Sequence, residues 1–132
     1  MQNKETFSRF GKDFQEKLCH LMLKDRPFCD QITEVLNLEF LDYEHLRVFV
    51  DIMLKYRERY KIHPSYSIME TRIRCEVNNY SKALKEKLIN FYKVIMATHD
   101  LPQEKYIKES SIEFCRKQVL KSAMMKSVRL IK

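Results

Sequence analysis

The sequence predicts an all-α protein, and three observations support that prediction. Gly11 is the only glycine in 132 residues, and the chain has only three prolines, Pro27, Pro64 and Pro102. Lys, Glu, Leu and Met, which lose little side-chain freedom in a helix, are abundant, and so is Ile. Apolar residues recur every three or four positions along most of the chain. Such a chain forms helices joined by short connections.

The scarcity of glycine also excludes classes of function. A Walker A loop, a dinucleotide-binding fingerprint and a nucleophile elbow each need at least two glycines in fixed register, where the backbone turns sharply or approaches a phosphate. With Gly11 alone, none of these motifs is present. We therefore expect no nucleotide cofactor in this segment.

Composition indicates one globular domain with 45% hydrophobic and 33% charged residues. The polar amino terminus is no signal peptide and no apolar run reaches the ~20 residues of a membrane span, so we expect a cytoplasmic protein that is neither secreted nor bound to a membrane. The four cysteines contain no CxxC pair, which favours reduced structural thiols over a metal site. They are Cys19, Cys29, Cys75 and Cys115.

The net charge of +7 is unevenly distributed. Residues 1–50 carry 7 basic and 9 acidic side chains, whereas residues 51–132 carry 18 and 9. A basic half indicates either an acidic partner, such as nucleic acid, or solvated helix faces, and the second interpretation is favoured.

The first elements follow from caps and spacing. Residues 1–12 are expected to be a loose leader that only Phe7 and Phe10 can anchor. Asp13, with Glu16 three residues later, predicts the start of the first helix through a capping box. Pro27 suits the start of a shorter second helix.

The middle of the chain predicts two further helices after a connection over 37–42. The third begins at Tyr43 and ends before His63 and Pro64, because a residue that precedes proline avoids helical geometry. The fourth begins at Ser67, which can cap it, and ends by residues 78–79.

The last part of the chain predicts two long helices. Ser81 can cap a fifth helix that runs to about Thr98, and the last helix follows a short turn from about Gln103. Two long helices with so short a turn are expected to lie antiparallel, as a hairpin. The apolar row continues to Ile131 with no terminating residue, so we expect the natural chain to continue past Lys132.

Candidate chemical sites are weak. Residues 55–61 alternate tyrosines with cations, as in grooves that bind single-stranded nucleic acid, but Tyr56 and Tyr60 also continue the apolar face of the third helix. The four histidines form no ligand pair on a helical face. Glu109 and Glu113 lie among cations, which favours surface ion pairs over an acid and base couple.

The last helix is the most promising surface. Residues 105–132 hold eight basic and two acidic side chains beside a broad apolar stripe. A stripe wider than one facing helix needs a second partner, which is either the first four helices or another subunit.

Three stretches resemble the amino-terminal domain of DnaB-type replicative helicases, especially their phage-like relatives. The stretch 14–28 is similar to the opening helix of that domain, 39–65 to its central helix, and 106–123 to the second arm of its helical hairpin. The resemblance covers roughly residues 12–130 and consists of apolar and aromatic spacing. Near-absence of glycine and proline from loops and a more basic hairpin are departures from the family.

The resemblance implies a small helical head, over 13–80, followed by a helical hairpin over 81–132 that leads into a linker. Family members pair through their hairpins in the collar of a hexameric ring and dock primase or a loader there. Catalysis, with ATP and Mg²⁺, belongs to a following motor domain, through which DNA passes. We therefore expect this segment to be a non-catalytic assembly domain of a bacterial or phage helicase.

Two sets of site residues follow from these hypotheses. The subunit interface is expected to use apolar residues of the hairpin: Leu84, Leu88, Phe91, Tyr92, Ile95, Ile112, Cys115 and Val119. An alternative is a stand-alone basic module that binds nucleic acid through six cations: Arg57, Arg59, Lys61, Lys121, Lys126 and Arg129. A helicase-binding domain of a primase or loader is a further alternative, since it can share the same fold.

Overall fold

The structure, a computed structural model, describes residues 5–131, with side chains to residue 129. All regular structure in this part of the chain is helical, which confirms the all-α prediction. The α-helices are α1 (Gly11–Lys24), α2 (Arg26–Ile32), α3 (Glu44–Tyr60), α4 (Tyr66–Glu76), α5 (Lys82–Ala97) and α6 (Glu104–Ile131). Short 3-10 helices span Phe7–Phe10, Leu38–Phe40 and Val77–Asn79.

The helices form two groups around a central pair. α1 packs against α3, α2 and α6 cover α1, and α4 and α5 cover α3. The core runs through all of them as one cluster of buried residues. The fold is therefore built outward from two helices, α1 and α3.

The predicted loose leader is wrong for residues 5–12. Phe7 lies fully buried, and its ring contacts those of Phe114 and Phe40, with centroids 4.7 and 6.1 Å away. The 3-10 helix ends at Gly11, whose φ of 88° turns the chain into α1. Aromatic burial thus orders this segment, and residues 1–4 of the leader lie outside the described residues.

Two predicted helix starts are shifted and two are confirmed. α1 begins at Gly11, before Asp13, which instead forms an ion pair with Lys17. α4 is capped by Ser65, whose hydroxyl accepts from the amide of Ile68, and not by Ser67. Pro27 lies in the first turn of α2, and Ser81 caps α5 as expected.

Two sets of buried hydrogen bonds join parts of the chain that are distant in sequence. The fully buried amide of Gln15 donates to Asp42 at 2.8 Å and accepts from the Asp42 amide at 2.8 Å. The hydroxyl of Tyr92 on α5 donates to the carbonyl of Tyr66 on α4 at 2.7 Å. Both contacts satisfy groups that would otherwise be buried without partners.

The predicted hairpin of α5 and α6 is not formed. α5 packs against α3 and α4, with Phe91 against Phe49 at a centroid distance of 5.0 Å, and α6 packs against α1 and α2. The buried side chain of Leu101 anchors the connection between α5 and α6 to the core. The two apolar stripes are therefore satisfied by different partners within the chain, and not by each other.

We predict that Phe7 is the main anchor of the amino-terminal segment. Phe7→Ala removes a fully buried ring and should lower the free energy of unfolding by about 3–5 kcal/mol. Tyr60→Ala, at a ring that is about half exposed, should cost less than about 1 kcal/mol. Urea unfolding followed by circular dichroism measures both, and equal losses would contradict the assignment.

Candidate functional site

The predicted subunit interface is wrong for seven of its eight residues. Leu84, Leu88, Phe91, Tyr92, Ile95, Ile112 and Cys115 are buried within the single chain. Only Val119 is exposed. All of them except Leu84 belong to the core cluster, and all seven are too buried to offer a free surface to another subunit.

The carboxy-terminal part of α6 leaves the body of the protein. Every described side chain from Val119 to Arg129 is exposed, and we call residues 119–129 the α6 arm. Five large apolar side chains of the arm are 48–60% exposed. They are Val119, Leu120, Met124, Met125 and Val128.

Contacts with the amino-terminal segment fix the base of the arm. Glu5 forms an ion pair with Lys121 and accepts a hydrogen bond from Gln118 at 3.3 Å. One turn earlier, Phe114 lies in the aromatic cluster with Phe7. Beyond these contacts, the described side chains of α6 are exposed.

A groove runs beside the base of the arm, between α2 and α6. It has a volume of about 610 Å³ and a floor of Phe28, Ile112 and Leu120. Glu109 and Glu113 line its α6 side. The sequence did not predict this groove, because it forms only where α2 and α6 pack beside each other.

Charged residues join the start of α6 to the end of α1. Lys108 forms ion pairs with Asp25 and with Glu104, the latter at 3.0 Å, and Lys24 lies 3.5 Å from Glu104. The hydrogen bond from Lys108 is the main cause that lowers the pKa of Glu104 below its usual range. This cluster has a structural role, because its ion pairs join the start of α6 to the junction of α1 and α2.

Of the six candidate nucleic-acid residues, Arg57 is used inside the protein. Its side chain is only 19% exposed and forms an ion pair with Asp30. Its guanidinium also donates to Nδ1 of His63 at 2.6 Å, while Nε2 of His63 lies 2.7 Å from the carbonyl oxygen of Leu23. Arg57 therefore ties α3 to α2 and to the end of α1, and it is not free to contact phosphate.

Arg59 and Lys61 are exposed beside an aromatic pocket at the end of α3. Tyr60 is 51% exposed and lies 4.8 Å from Tyr56 between ring centroids, with the Arg59 guanidinium 5.4 Å from the Tyr60 centroid. Tyr80 completes a pocket of about 210 Å³. The expected structural use of Tyr60 is thus only partial, since half of its surface faces solvent.

The other three candidate cations lie on the α6 arm. Lys121 pairs with Glu5, whereas Lys126 and Arg129 have no ion pair with any described residue. The six candidates are therefore divided between the end of α3 and the arm, and no described contact joins the two groups.

Within residues 5–131, no group of three or more His, Cys, Asp or Glu side chains is placed to hold a metal ion. All four cysteines are free thiols, and burial raises the pKa of Cys29 to about 11 and that of Cys115 to about 12.

Within residues 5–131, no helix is long and apolar enough to cross a membrane.

Comparisons with protein-family models, with curated proteins and with solved structures each give no match for this chain. Function is therefore argued from the residues and surfaces described above.

We predict that His63 makes stability depend on pH near neutrality. Burial lowers the pKa of His63, so below about pH 6.5 the unfolded chain binds a proton that the folded chain does not, and stability falls as pH decreases. Burial lowers the pKa of His20 and His45 in the same direction. Each such histidine contributes a slope of at most about 1.4 kcal/mol per pH unit.

His63→Gln should reduce this slope between pH 7.5 and 5, because it removes the partly buried imidazole whose pKa is lowered. Urea unfolding at several pH values measures the slope. An unaltered slope in His63→Gln would show that His63 does not couple folding to protonation.

Proposed function

We propose that this chain is the non-catalytic amino-terminal assembly domain of a DnaB-type replicative helicase. In this role it pairs subunits in the collar of a hexameric ring and offers a docking surface to primase or a loader. ATP hydrolysis, with its Mg²⁺, and passage of DNA belong to a motor domain encoded after it. The resemblance of residues 14–28, 39–65 and 106–123 to that family is one support for this proposal.

The α6 arm is the observation that supports an assembly role best. Isolated apolar residues are common on protein surfaces, but the arm carries five large ones along eleven residues, and three of them, Leu120, Met124 and Val128, recur every four residues and form an exposed stripe. A helical segment this short, whose described ion pair to the rest of the protein is that of Lys121 with Glu5 at its base, is only marginally stable in water by itself. Another polypeptide that covers the stripe would stabilise the helix, which is what an assembly element requires.

The position of this surface differs from that expected of the family. The residues expected to pair through a hairpin are core residues here, because α5 and α6 face different sides of the central pair. We therefore assign subunit contacts to the arm, from Val119 onward. A helicase-binding domain of a primase or loader would expose a similar helix, so the coding sequence beyond Lys132 distinguishes the two.

The first test is the coding sequence itself. We predict that the reading frame continues into a RecA-like motor with a Walker A motif. Deleting residues 5–131 from that full-length protein should abolish binding of primase or loader in a pull-down but retain ATP hydrolysis stimulated by single-stranded DNA. A primase or loader domain encoded downstream, or none at all, would contradict the helicase assignment.

The aromatic pocket at the end of α3 supports a second candidate function, contact with single-stranded nucleic acid. Exposed Tyr60 offers a ring face on which a base can stack, and Arg59 and Lys61 offer charges for the backbone. Asp51 and Glu76 also line this pocket, but they are paired with Lys55 and Arg72 at 2.9 and 3.0 Å.

We predict that, if this pocket binds a base, Tyr60→Ala weakens binding of a fluorescent oligothymidine by about 1–3 kcal/mol. Arg59→Ala should reduce the salt dependence of binding by about 0.7 in its logarithmic slope, because one phosphate contact is lost. Lys87→Ala on α5 is the control for a general loss of charge. Fluorescence anisotropy at several salt concentrations measures both quantities, and identical behaviour of all three variants would exclude the pocket as the site.

A further inference from the structure

The hydrogen bonds of His63 fix where its protons lie. A guanidinium can only donate, so Nδ1 of His63, which lies 2.6 Å from Nη1 of Arg57, must accept and carry no proton. A carbonyl oxygen can only accept, so Nε2 of His63, which lies 2.7 Å from the carbonyl oxygen of Leu23, must carry the proton. These contacts therefore require a neutral imidazole in a single tautomer.

The carbonyl of Leu23 has a reason to need this bond. It lies in the last turn of α1, where carbonyl groups have no donor within the helix. The residue four positions later is Pro27, which has no N–H to donate. His63 supplies the missing donor, and it thereby joins the connection between α3 and α4 to the end of α1.

The charges that face His63 disfavour a further cation. Arg57 forms an ion pair with Asp30, and Nε of Arg26 lies 3.8 Å from the same carboxylate. Burial is the main cause that lowers the pKa of His63. Its bond to the Leu23 carbonyl and the charge of Asp30 raise this pKa, whereas the two guanidiniums lower it. One carboxylate thus faces two guanidiniums, and a protonated His63 is a third cation beside it.

The connection that carries His63 starts in an unfavourable backbone conformation. Lys61 has a φ of 59°, in the left-handed region that a residue with a Cβ rarely adopts. The side chain of Ile62, which follows, is 60% exposed. The contacts of His63 therefore help to hold this connection in place.

We propose that His63 is a proton-operated latch, which decides whether Arg57 is held by the first helices or joins the exposed cations at the end of α3. A proton on Nδ1 would point at the guanidinium, so the two groups separate. Arg57 lies three residues before Tyr60 and four before Lys61, and residues at these spacings are neighbours on a helix. The released guanidinium therefore lies beside the exposed ring and charge of that surface.

The inference rests on the second candidate function, contact of the end of α3 with single-stranded nucleic acid, and it names the regulation of that site. It does not depend on the helicase assignment. An anionic strand and a proton on His63 favour the same released state. Such a coupling is reciprocal, so acid tightens binding of the strand, and the bound strand favours the protonated imidazole.

The first experiment measures binding of a fluorescent oligothymidine to the whole chain at pH 7.5 and 5.5 by anisotropy. The bases and phosphodiesters of this probe do not change charge between these pH values. The unaltered chain should bind about fivefold more tightly, or better, at pH 5.5. Arg57→Gln should bind like the unaltered chain at pH 7.5 and lose the gain at pH 5.5. Arg59→Gln is the matched control, and it should weaken binding at both pH values because Arg59 is exposed.

The second experiment fixes the state of the latch by substitution. Glutamine has an oxygen that accepts and an amide that donates, so His63→Gln can keep both contacts without titrating. It should bind weakly at both pH values. His63→Lys carries a permanent charge and should bind tightly at both. Because the new lysine can itself contact a phosphate, Arg57→Gln is added in this background, where it should reduce the logarithmic salt slope by about 0.7, one phosphate contact.

Two binding results would overturn the inference. One is a gain in acid that Arg57→Gln retains, in which case another titrating group causes the gain. The other is equal binding of His63→Gln and His63→Lys, in which case the charge at this position does not control the surface. Circular dichroism at each pH establishes that every variant compared is folded.

Failure of the nucleic-acid function gives a different result, in which no variant binds oligothymidine at either pH. The latch is then tested by NMR of the Nε2–H of His63, a proton that exchanges with water too fast to be observed unless a hydrogen bond protects it. Its signal should disappear between pH 7.5 and 5.5 while the circular dichroism of the chain stays unchanged. A signal that persists until the whole chain unfolds would overturn the latch.

Discussion

Burial of α1 on almost every side is the constraint on which the rest of the structure depends. Eight of its residues, from Phe14 to Leu23, are buried, and α2, α3, α6 and the amino-terminal 3-10 helix all pack against it. Such a helix cannot bury polar groups without partners. Gln15 is satisfied by both hydrogen bonds to Asp42, and His20 lies 3.2 Å from the hydroxyl of Tyr66. Those partners lie in distant parts of the sequence, so satisfying α1 fixes the positions of the connection before α3 and of the start of α4.

The candidate surfaces follow from this arrangement. α1 and α3 bury the apolar stripes of their neighbours, although Val94 and Met96 of α5 and Tyr106 of α6 stay about half exposed. The largest run of exposed apolar side chains is the arm of α6, which lies beside the groove between α2 and α6. The proposed assembly role uses this surface and does not need the buried face of α5.

Sequence alone predicted the local structure better than the tertiary structure. Pro27 and Ser81 marked helix starts correctly, because a cap or a fixed φ acts within one turn. Ser65 and Ser67 are both able to cap α4, and the sequence does not say which one meets the free amides. Likewise, periodicity identified Leu88 and Phe91 as apolar stripe residues, but it carries no information on whether α6, α3 or another subunit covers them.

Long-range charge pairs were equally invisible in the sequence. Arg57 seemed available to nucleic acid because its neighbours in sequence are cations and tyrosines. Its partner Asp30 is 27 residues away and its position depends on how α2 crosses α3. The exposure of Tyr60 and the α2/α6 groove also depend on where short elements end, which is decided by packing and not by a motif.

The amino-terminal segment has one further consequence. It contacts α6 at the point where that helix leaves the body of the protein. Phe7 packs against Phe114, and Glu5 pairs with Lys121 and accepts a hydrogen bond from Gln118. The segment therefore holds α6 where the arm begins, and its Glu5 pairs with Lys121 of the arm. Substitutions in residues 5–10 would therefore change the direction in which the arm leaves the protein, although every residue of the arm stays the same.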